Sequence, residues 1–598
     1  MLKISHLFIY HSSRRLSRVF SYLKNGFFVK MKKIVALSLV ALSYLSPAVK
    51  AGGLVFVKPL PEITTLSGSY AELRPNHFHG GWDFRTGGQV DLPVYAVADG
   101  YIARVVITPS GYGKMVMINH PGGITTVYGH LNGFLGKLDS AVRREQYRQR
   151  RYDVTVEFRP SDFPVKHGQQ FAISGNTGGS AGPHLHFEVR RTADGTMMNP
   201  VIYNKVFGIQ DDKSPKIFGV KIYGVPGSGE VNGVSQMRYL CNIGRATLRN
   251  GSTVRAWGNV SFAVKASDYM SGTYFSYGVR KMRLYVDGRL VSQVTLQNFL
   301  FDEKKAVNSL VDYDQLMHTK EYYVKFSKDK GNPLHFYAPL VRNGVLTVNQ
   351  NRLYPIVIEV EDDFGHKNRI SFNIRGERGS LSSVPMGYTS MFRAGHANAI
   401  SRKSFLLRLP KDALYTDVPI YFKDMKPAPT SNLYSDIYDF GAKNVPLHSP
   451  ADVSVKILSD VLPHKNQYVL AKLNDKNQVC GTVNAEYVRG YMVGKAPALC
   501  RLAVYKDDKA PTIGAEHILK LRRFPVLKLK IRDNLSGIDT YNGYIDGKWV
   551  LFEYDPKTAR ISCDLRKAGL AEGRNHTLRV EVVDYCKNKG VLETKIFY

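Results

Sequence analysis

At 598 residues, 44% of them hydrophobic and 11% aromatic, the chain is too apolar for wholesale disorder and too long for a single core. At roughly 100 to 200 residues per domain it holds about four domains. Its 82 Lys and Arg against 50 Asp and Glu give a formal net charge of +32, which favours an anionic environment such as membrane headgroups or acidic wall polymer. The basic residues are scattered and no base-reading motif is present, so nucleic acid is set aside as a partner.

The amino terminus points to export. From Met31, MKK is followed by the apolar run IVALSLVALSYL and then SPAVKA, a signal-peptide pattern spanning Met31–Ala51 with cleavage after Ala51. Residues 1–30 read as an upstream segment behind an alternative start. The apolar run is shorter than the ~20 residues that span a bilayer, so no transmembrane span is expected once the signal is removed. The expected location is the periplasm or cell envelope of a bacterium. Five cysteines show no CxxC spacing. In an exported chain, Cys480 with Cys500 and Cys563 with Cys586 either pair or stand as buried free thiols, with Cys241 left odd.

From residue 52 to about 210 the pattern is short strands and tight turns, a mostly antiparallel β domain. LPVYAVADGYIARVVIT carries a hairpin signal at Asp99-Gly100, and KMVMINH, a Pro-Gly-Gly turn and ITTVYGHL repeat the scheme. Alternation in ITTVYGHL puts His130 at a strand end on the polar side. An apparent insertion at about 138–165 starts with a helix capped by Asp139 or Ser140, rich in arginine, followed by the strand YDVTVEF. It reads either as a flap walling the cleft or, preferably, as a solvated surface helix.

Beyond the linker at Asp211–Pro215, three further β domains are expected at 213–375, 376–508 and 509–598. The first and last share an internal repeat: a D-x-x-S-G turn, an Asp-Gly hairpin and a long strand ending in an acidic turn. Both read as immunoglobulin-like β-sandwiches, and the middle one as a sandwich of another type. The whole chain is mainly β.

Two blocks carry metal chemistry. In NHFHGGWDFRT, Asn76 to Thr86, His79 and Asp83 flank two glycines; in GPHLHFEV, Gly182 to Val189, His184 and His186 alternate. Residues four apart on a strand are roughly 13 Å apart, whereas zinc holds each ligand at about 2 Å, so the chain must turn at Gly80-Gly81. The period-two histidines share one face while Leu185 and Phe187 face a core.

With DGYIARV, YGKMVMINH, TVYGHL and GNTGGSAGPHLHFEV between these blocks, the region from about Leu73 to Pro200 resembles the M23 family of zinc metallopeptidases, of the lysostaphin or LytM type. The resemblance implies Zn²⁺ held by His79, Asp83 and His186, with His130 and His184 as the catalytic histidines. A zinc-activated water would attack, one imidazole taking a proton and the other donating to the oxyanion, in either assignment. It also implies peptidoglycan cross-link peptides as substrate, with the β-sandwich domains free to bind envelope protein partners. The alternative is a non-catalytic envelope protein that recognises wall peptides and activates another hydrolase; a carbohydrate-binding scaffold is a third reading. Among neighbouring residues, His77 is a substitute ligand that the family pattern passes over, and His120 reads as structural. Arg74 is either a cleft residue or solvated. Glu188 either supports His186 or stands as an exposed carboxylate, the latter preferred.

Overall fold

The architecture follows from strands whose two faces differ. In this computed structural model the described residues are 56–60, 62, 65–242, 246–249, 251, 253–381, 386–442, 444–516 and 521–598, so the signal-peptide reading at Met31–Ala51 lies outside them. Among the described residues no helix is long and apolar enough to cross a membrane.

The amino-terminal region is built on a nine-stranded antiparallel sheet. Its main strands are β1 (Leu66–Gly68), β2 (Trp82–Arg85), β3 (Gly100–Ile107), β4 (Lys114–His120), β5 (Ile124–Leu131), β6 (Val154–Glu157) and β7 (His184–Arg191). They lie side by side in the order β1-β2-β7-β5-β4-β3-β6. The last strand in sequence is thus inserted between β2 and β5. On the inward face of β7, Leu185, Phe187 and Val189 are fully buried. Phe187 packs against Phe84 at 5.7 Å and Phe207 at 5.5 Å between ring centroids. This aromatic floor makes the opposite face of β7 rigid, because rings of this size dominate core packing. Strand β5 is buried along its whole length, and its Thr126 hydroxyl is satisfied by His120 Nε2 at 2.7 Å.

Between β5 and β6 runs α1 (Gly136–Gln149), which starts before the expected Asp139 or Ser140 cap and has no side-chain cap at Leu135. Ser140 instead bonds back to the Gly136 carbonyl at 3.2 Å. The helix keeps exposed positions and also has contacts outside its own region. Tyr147 packs edge-on against Trp549 at 5.2 Å, and Arg143 donates to the Lys567 carbonyl at 3.2 Å. The helix therefore leans on the carboxy-terminal domain.

Residues 216–376 form one continuous twelve-stranded sheet, held together by the long strand Thr253–Tyr269. That strand pairs antiparallel with Lys216–Val231 and, at its beginning, parallel with Lys367–Gly376. Residues 398–506 contain two five-stranded sheets around a core that includes Phe405, Leu407, Val453 and Leu470. Residues 512–597 contain two four-stranded antiparallel sheets closing on Leu527, Leu529, Val580 and Val582. All five cysteines are free thiols, so neither Cys480–Cys500 nor Cys563–Cys586 is bridged. Cys563 and Cys586 are buried, as the free-thiol reading has it, whereas Cys480 is exposed and Cys500 only partly buried.

Candidate metal centre

Strand register brings the two sequence blocks together. Across the β2–β7 ladder His186 is paired with Asp83 and His184 with Arg85, while β5 sets Gly129 opposite His186 on the other side. Neighbouring strands are ~4.8 Å apart, so paired side chains on one face converge whatever their distance in sequence. His79 arrives from the segment before β2, fixed by backbone bonds of 2.9 Å in both directions, to Glu72 and from Ala71. The intervening glycines are required for space rather than for an unusual backbone. Neither Gly80 nor Gly81 has a positive φ, but a Cβ on Gly80 would stand 2.3 Å from Glu188 Oε1, and one on Gly81 2.0 Å from the Phe187 carbonyl oxygen.

Each of the four histidines commits one ring nitrogen to an oxygen acceptor. His79 Nδ1–H donates to the Ser69 carbonyl at 2.7 Å, and His186 Nε2–H to Glu188 Oε1 at 2.9 Å. His184 Nδ1–H donates to the Gly182 carbonyl at 2.8 Å and His130 Nδ1–H to the Thr177 carbonyl at 2.8 Å. A neutral imidazole that donates from one nitrogen presents a lone pair at the other. His79 Nε2, His186 Nδ1 and Asp83 Oδ1 then converge, with separations of 3.0 Å, 2.8 Å and 3.0 Å. Two lone pairs facing each other repel unless a proton or a cation stands between them. Two imidazoles and one carboxylate, each oriented by an outer hydrogen bond, are a donor set that fits zinc.

The electrostatics keep His79 and Asp83 in ligand form. Burial holds the His79 pKa down, to about 4. Burial would raise the Asp83 carboxyl, but His79, His184 and His186 outweigh it and hold it well below the usual range. Its second oxygen takes Arg74 Nη2 at 2.7 Å, which settles Arg74 as part of the site. For His186, burial alone would lower the pKa, and Asp83 with Glu188 reverse the sign.

Glu188 is fully buried, not the exposed carboxylate preferred from sequence. It also receives Arg190 Nε at 2.6 Å and the Tyr112 hydroxyl at 2.6 Å, and Tyr112 in turn receives Lys304 Nζ at 3.0 Å. Burial would raise its carboxyl, yet Arg190 and Lys304 hold it well below the usual range. Glu188→Gln keeps the shape and removes the charge that polarises His186. Zinc affinity is expected to fall ~10- to 100-fold, read by competition with a chromogenic chelator. Unchanged affinity would mean that Glu188 serves packing alone.

His130 and His184 lie beside the three converging atoms, their ring centroids 4.8 Å apart. His184 Nε2 is buried with no hydrogen-bond partner, 3.4 Å from Asp83 Oδ1. His130 sits at φ 59°, a left-handed conformation that costs a non-glycine residue of order 1 kcal/mol and concentrates at functional sites. Burial, then the neighbouring His184 and His186, lower its pKa to about 3.

All five residues singled out from sequence therefore meet in one place. His77 instead bonds the Pro75 carbonyl, and His120 spends both nitrogens on Asp99 and Thr126. The site opens into a cleft of about 620 Å³ lined by Arg74, Asp83, His130 and His184, together with Tyr274 and Phe275. The last two stack at 4.5 Å and belong to the twelve-stranded region. On the other side, Lys557 of the last domain donates to the Asn176 carbonyl at 2.5 Å and the Ser180 carbonyl at 3.2 Å, clamping the glycine-rich loop that precedes His184. Nothing in the sequence marks Tyr274, Lys304 or Lys557 as neighbours of the site, whereas Glu188 is readable from the period-two face it shares with His186.

Residues 77–147 match the sequence profile of Peptidase family M23, which includes His79, Asp83 and His130, and residues 389–507 match that of a Zu5-like domain. The chain is 33% identical over 123 residues to an "Uncharacterized metalloprotease" of Haemophilus influenzae, covering 21% of this chain and 20% of that one. It is 34% identical over 109 residues to the "DD-carboxypeptidase/endopeptidase Mpg" of Neisseria meningitidis, covering 18% and 19%. The chain thus spans about a fifth of the length of these curated relatives. A solved "zinc containing peptidase from vibrio cholerae" is similar at 27% identity over 23% of this chain and 37% of that one, with a TM-score of 0.18. The Peptidase family M23 match thus takes in His79, Asp83 and His130, while His184 and His186 lie beyond its end at residue 147.

Proposed function

We propose that this protein is an exported zinc metalloendopeptidase that hydrolyses peptide cross-links of peptidoglycan. One observation carries the reading: His79 Nε2, Asp83 Oδ1 and His186 Nδ1 converge to within 3.0 Å of one another, with two more imidazoles held beside them. His79, Asp83 and His186 would hold the ion, which when bound polarises a carbonyl and lowers the pKa of water toward ~7. His184 Nε2, bare and facing the cleft wall formed by Asp83, takes a proton from the attacking water. His130 Nε2 is an acceptor in its present tautomer, so it donates to a developing oxyanion only after it has itself been protonated. Arg74 keeps the Asp83 carboxylate oriented and charged. Residues 52–210 form the catalytic domain; of the β domains at 213–375, 376–508 and 509–598, the first adds Tyr274 and Phe275 to the cleft wall, the last holds the loop before His184 through Lys557, and together they position the catalytic domain in the envelope.

The test is mass spectrometry of fragments released from purified cross-linked peptidoglycan by the zinc-loaded full chain. Cross-linked dimers are expected to give way to monomers with one new amine and one new carboxyl per cut. A chelator should stop the reaction and added zinc restore it. If monomers appear only when a second hydrolase is present, the chain is an activator and the proposal fails.

A further inference from the structure

A duplicated set of buried carboxylates lies outside the catalytic cleft. The linker Asp211-Asp212-Lys213-Ser214-Pro215 recurs as Asp507-Asp508-Lys509-Ala510-Pro511. Each copy is followed by a D-x-x-S-G turn, Asp268 to Gly272 and Asp533 to Gly537, and then by an acidic turn at the end of a long strand, Asp362 and Asp584. These residues are dispersed in sequence, yet the fold gathers them. Asp507, Asp533 and Asp584 offer oxygens within 4.8 Å of one another, and Asp211 and Asp362 do so with His366. The supporting bonds repeat as well. Asp584 accepts the Asn588 backbone N–H and its side-chain amide, both at 2.8 Å; Asp362 accepts the His366 backbone N–H and its Nδ1–H, both at 2.9 Å.

Protein donors reach Asp507 Oδ2, Asp533 Oδ2 and Asp211 Oδ1 and both oxygens of Asp362 and Asp584, but they leave one oxygen of four of these carboxylates unsatisfied. Asp507 and Asp268 are 1% and 2% exposed, and Oδ1 of each has no hydrogen-bond partner. Asp533 Oδ1 and Asp211 Oδ2 are likewise buried and unpartnered. The nearby lysines are engaged elsewhere, Lys506 with Asp508 and Lys587 with Asp539. A buried carboxylate oxygen without a donor is unfavourable, and three carboxylates together repel. Burial, then Asp211, Asp362 and Asp363, push the Asp268 carboxyl up to about 8. Such a cluster is stable when a cation replaces the missing donors.

We propose that each set binds one calcium ion at a domain junction, the first at Asp211, Asp362 and His366 with the unpartnered Asp268 beside them, the second through Asp507, Asp533 and Asp584. The second set offers carboxylate oxygens alone, and in the first the carboxylates outnumber the single imidazole nitrogen, His366 Nε2, left by the bond to Asp362. Oxygen-only sites select hard cations, and calcium tolerates an irregular set completed by carbonyls and water, whereas magnesium demands a near-octahedral one. The placement gives the ions a role in the cleft. Gly272 ends the first turn two residues before Tyr274, which lines the cleft. Asp363, next to Asp362, is held by Asn199 of the amino-terminal region at 2.7 Å. At the second junction Asn588 donates to the Asp507 carbonyl at 3.0 Å and receives Gln467 at 3.1 Å, tying the middle region to the domain that carries Lys557.

Calorimetric titration of CaCl₂ into the zinc-loaded, calcium-free full chain tests this. Two equivalents of calcium are expected, one in Asp268→Asn, one in Asp533→Asn and none in the double variant. Since asparagine keeps the shape and removes a repelling charge, the variants should melt no lower than the parent without calcium. Only the parent should show the full calcium-dependent rise in Tm. No calcium uptake by the parent, uptake preserved in the double variant, or an equal response to magnesium would each overturn the assignment. So would variants that melt lower in calcium-free buffer, since the carboxylates would then serve the fold without an ion.

Discussion

His186→Ala is expected to abolish zinc binding and hydrolysis together. His186 is the one residue that touches both other converging atoms and the buried Glu188 network, through Nδ1 at 2.8 Å from Asp83 and Nε2 at 2.9 Å from Glu188. Losing an outer hydrogen bond to such a ligand typically costs ~10- to 100-fold in affinity, so losing the ligand itself should cost more than ~100-fold in activity. The fold should persist, because Leu185 and Phe187, on the opposite face of β7, keep the aromatic floor. Metal content by atomic absorption, turnover of cross-linked peptidoglycan and a melting curve report the three quantities separately. Undiminished turnover in a folded variant would remove the metal site from the mechanism.

His184→Ala should separate metal binding from turnover. Its Nδ1 is occupied by the Gly182 carbonyl and its Nε2 stands 3.4 Å from Asp83 Oδ1, outside the set of three atoms that converge at 3.0 Å or less. Zinc content should therefore remain near that of the parent, while turnover falls by ~10²- to 10⁴-fold, the usual contribution of a positioned proton-transfer group. Loss of zinc in this variant would show that the division of the histidine pair is wrong, without touching the His186 result. The two variants together distinguish a failure of the metal assignment from a failure of the proton-transfer assignment.

How much of this was legible beforehand depends on how local the determining physics is. The pairing of His184 with His186 on one face, and of Leu185 with Phe187 on the other, follows from the two-residue period of a strand. The importance of Gly80 and Gly81 was readable, but the reason was not: they make room for Glu188 and for the Phe187 carbonyl, not for an unusual turn. Glu188 looked exposed because an isolated carboxylate usually is. Its burial depends on Arg190 two residues away, on Tyr112 from the β3–β4 connection and, through Tyr112, on Lys304 from another domain. The arginine-rich helix looked solvated because its partners, Trp549 and Lys567, are some 400 residues distant.

The sequence by itself determined the mainly β class, the two metal-binding blocks around His79–Asp83 and His184–His186 and the duplicated acidic motifs, since periodicity, turn chemistry and donor type are properties of short segments. The division into ligands and attendant histidines came with the resemblance to family M23. Only the tertiary structure decided which lone pairs face one another, which carboxylate oxygens are left without partners and which distant residues line the cleft. Those depend on strand register and burial, and both are set by contacts between residues that are remote along the chain.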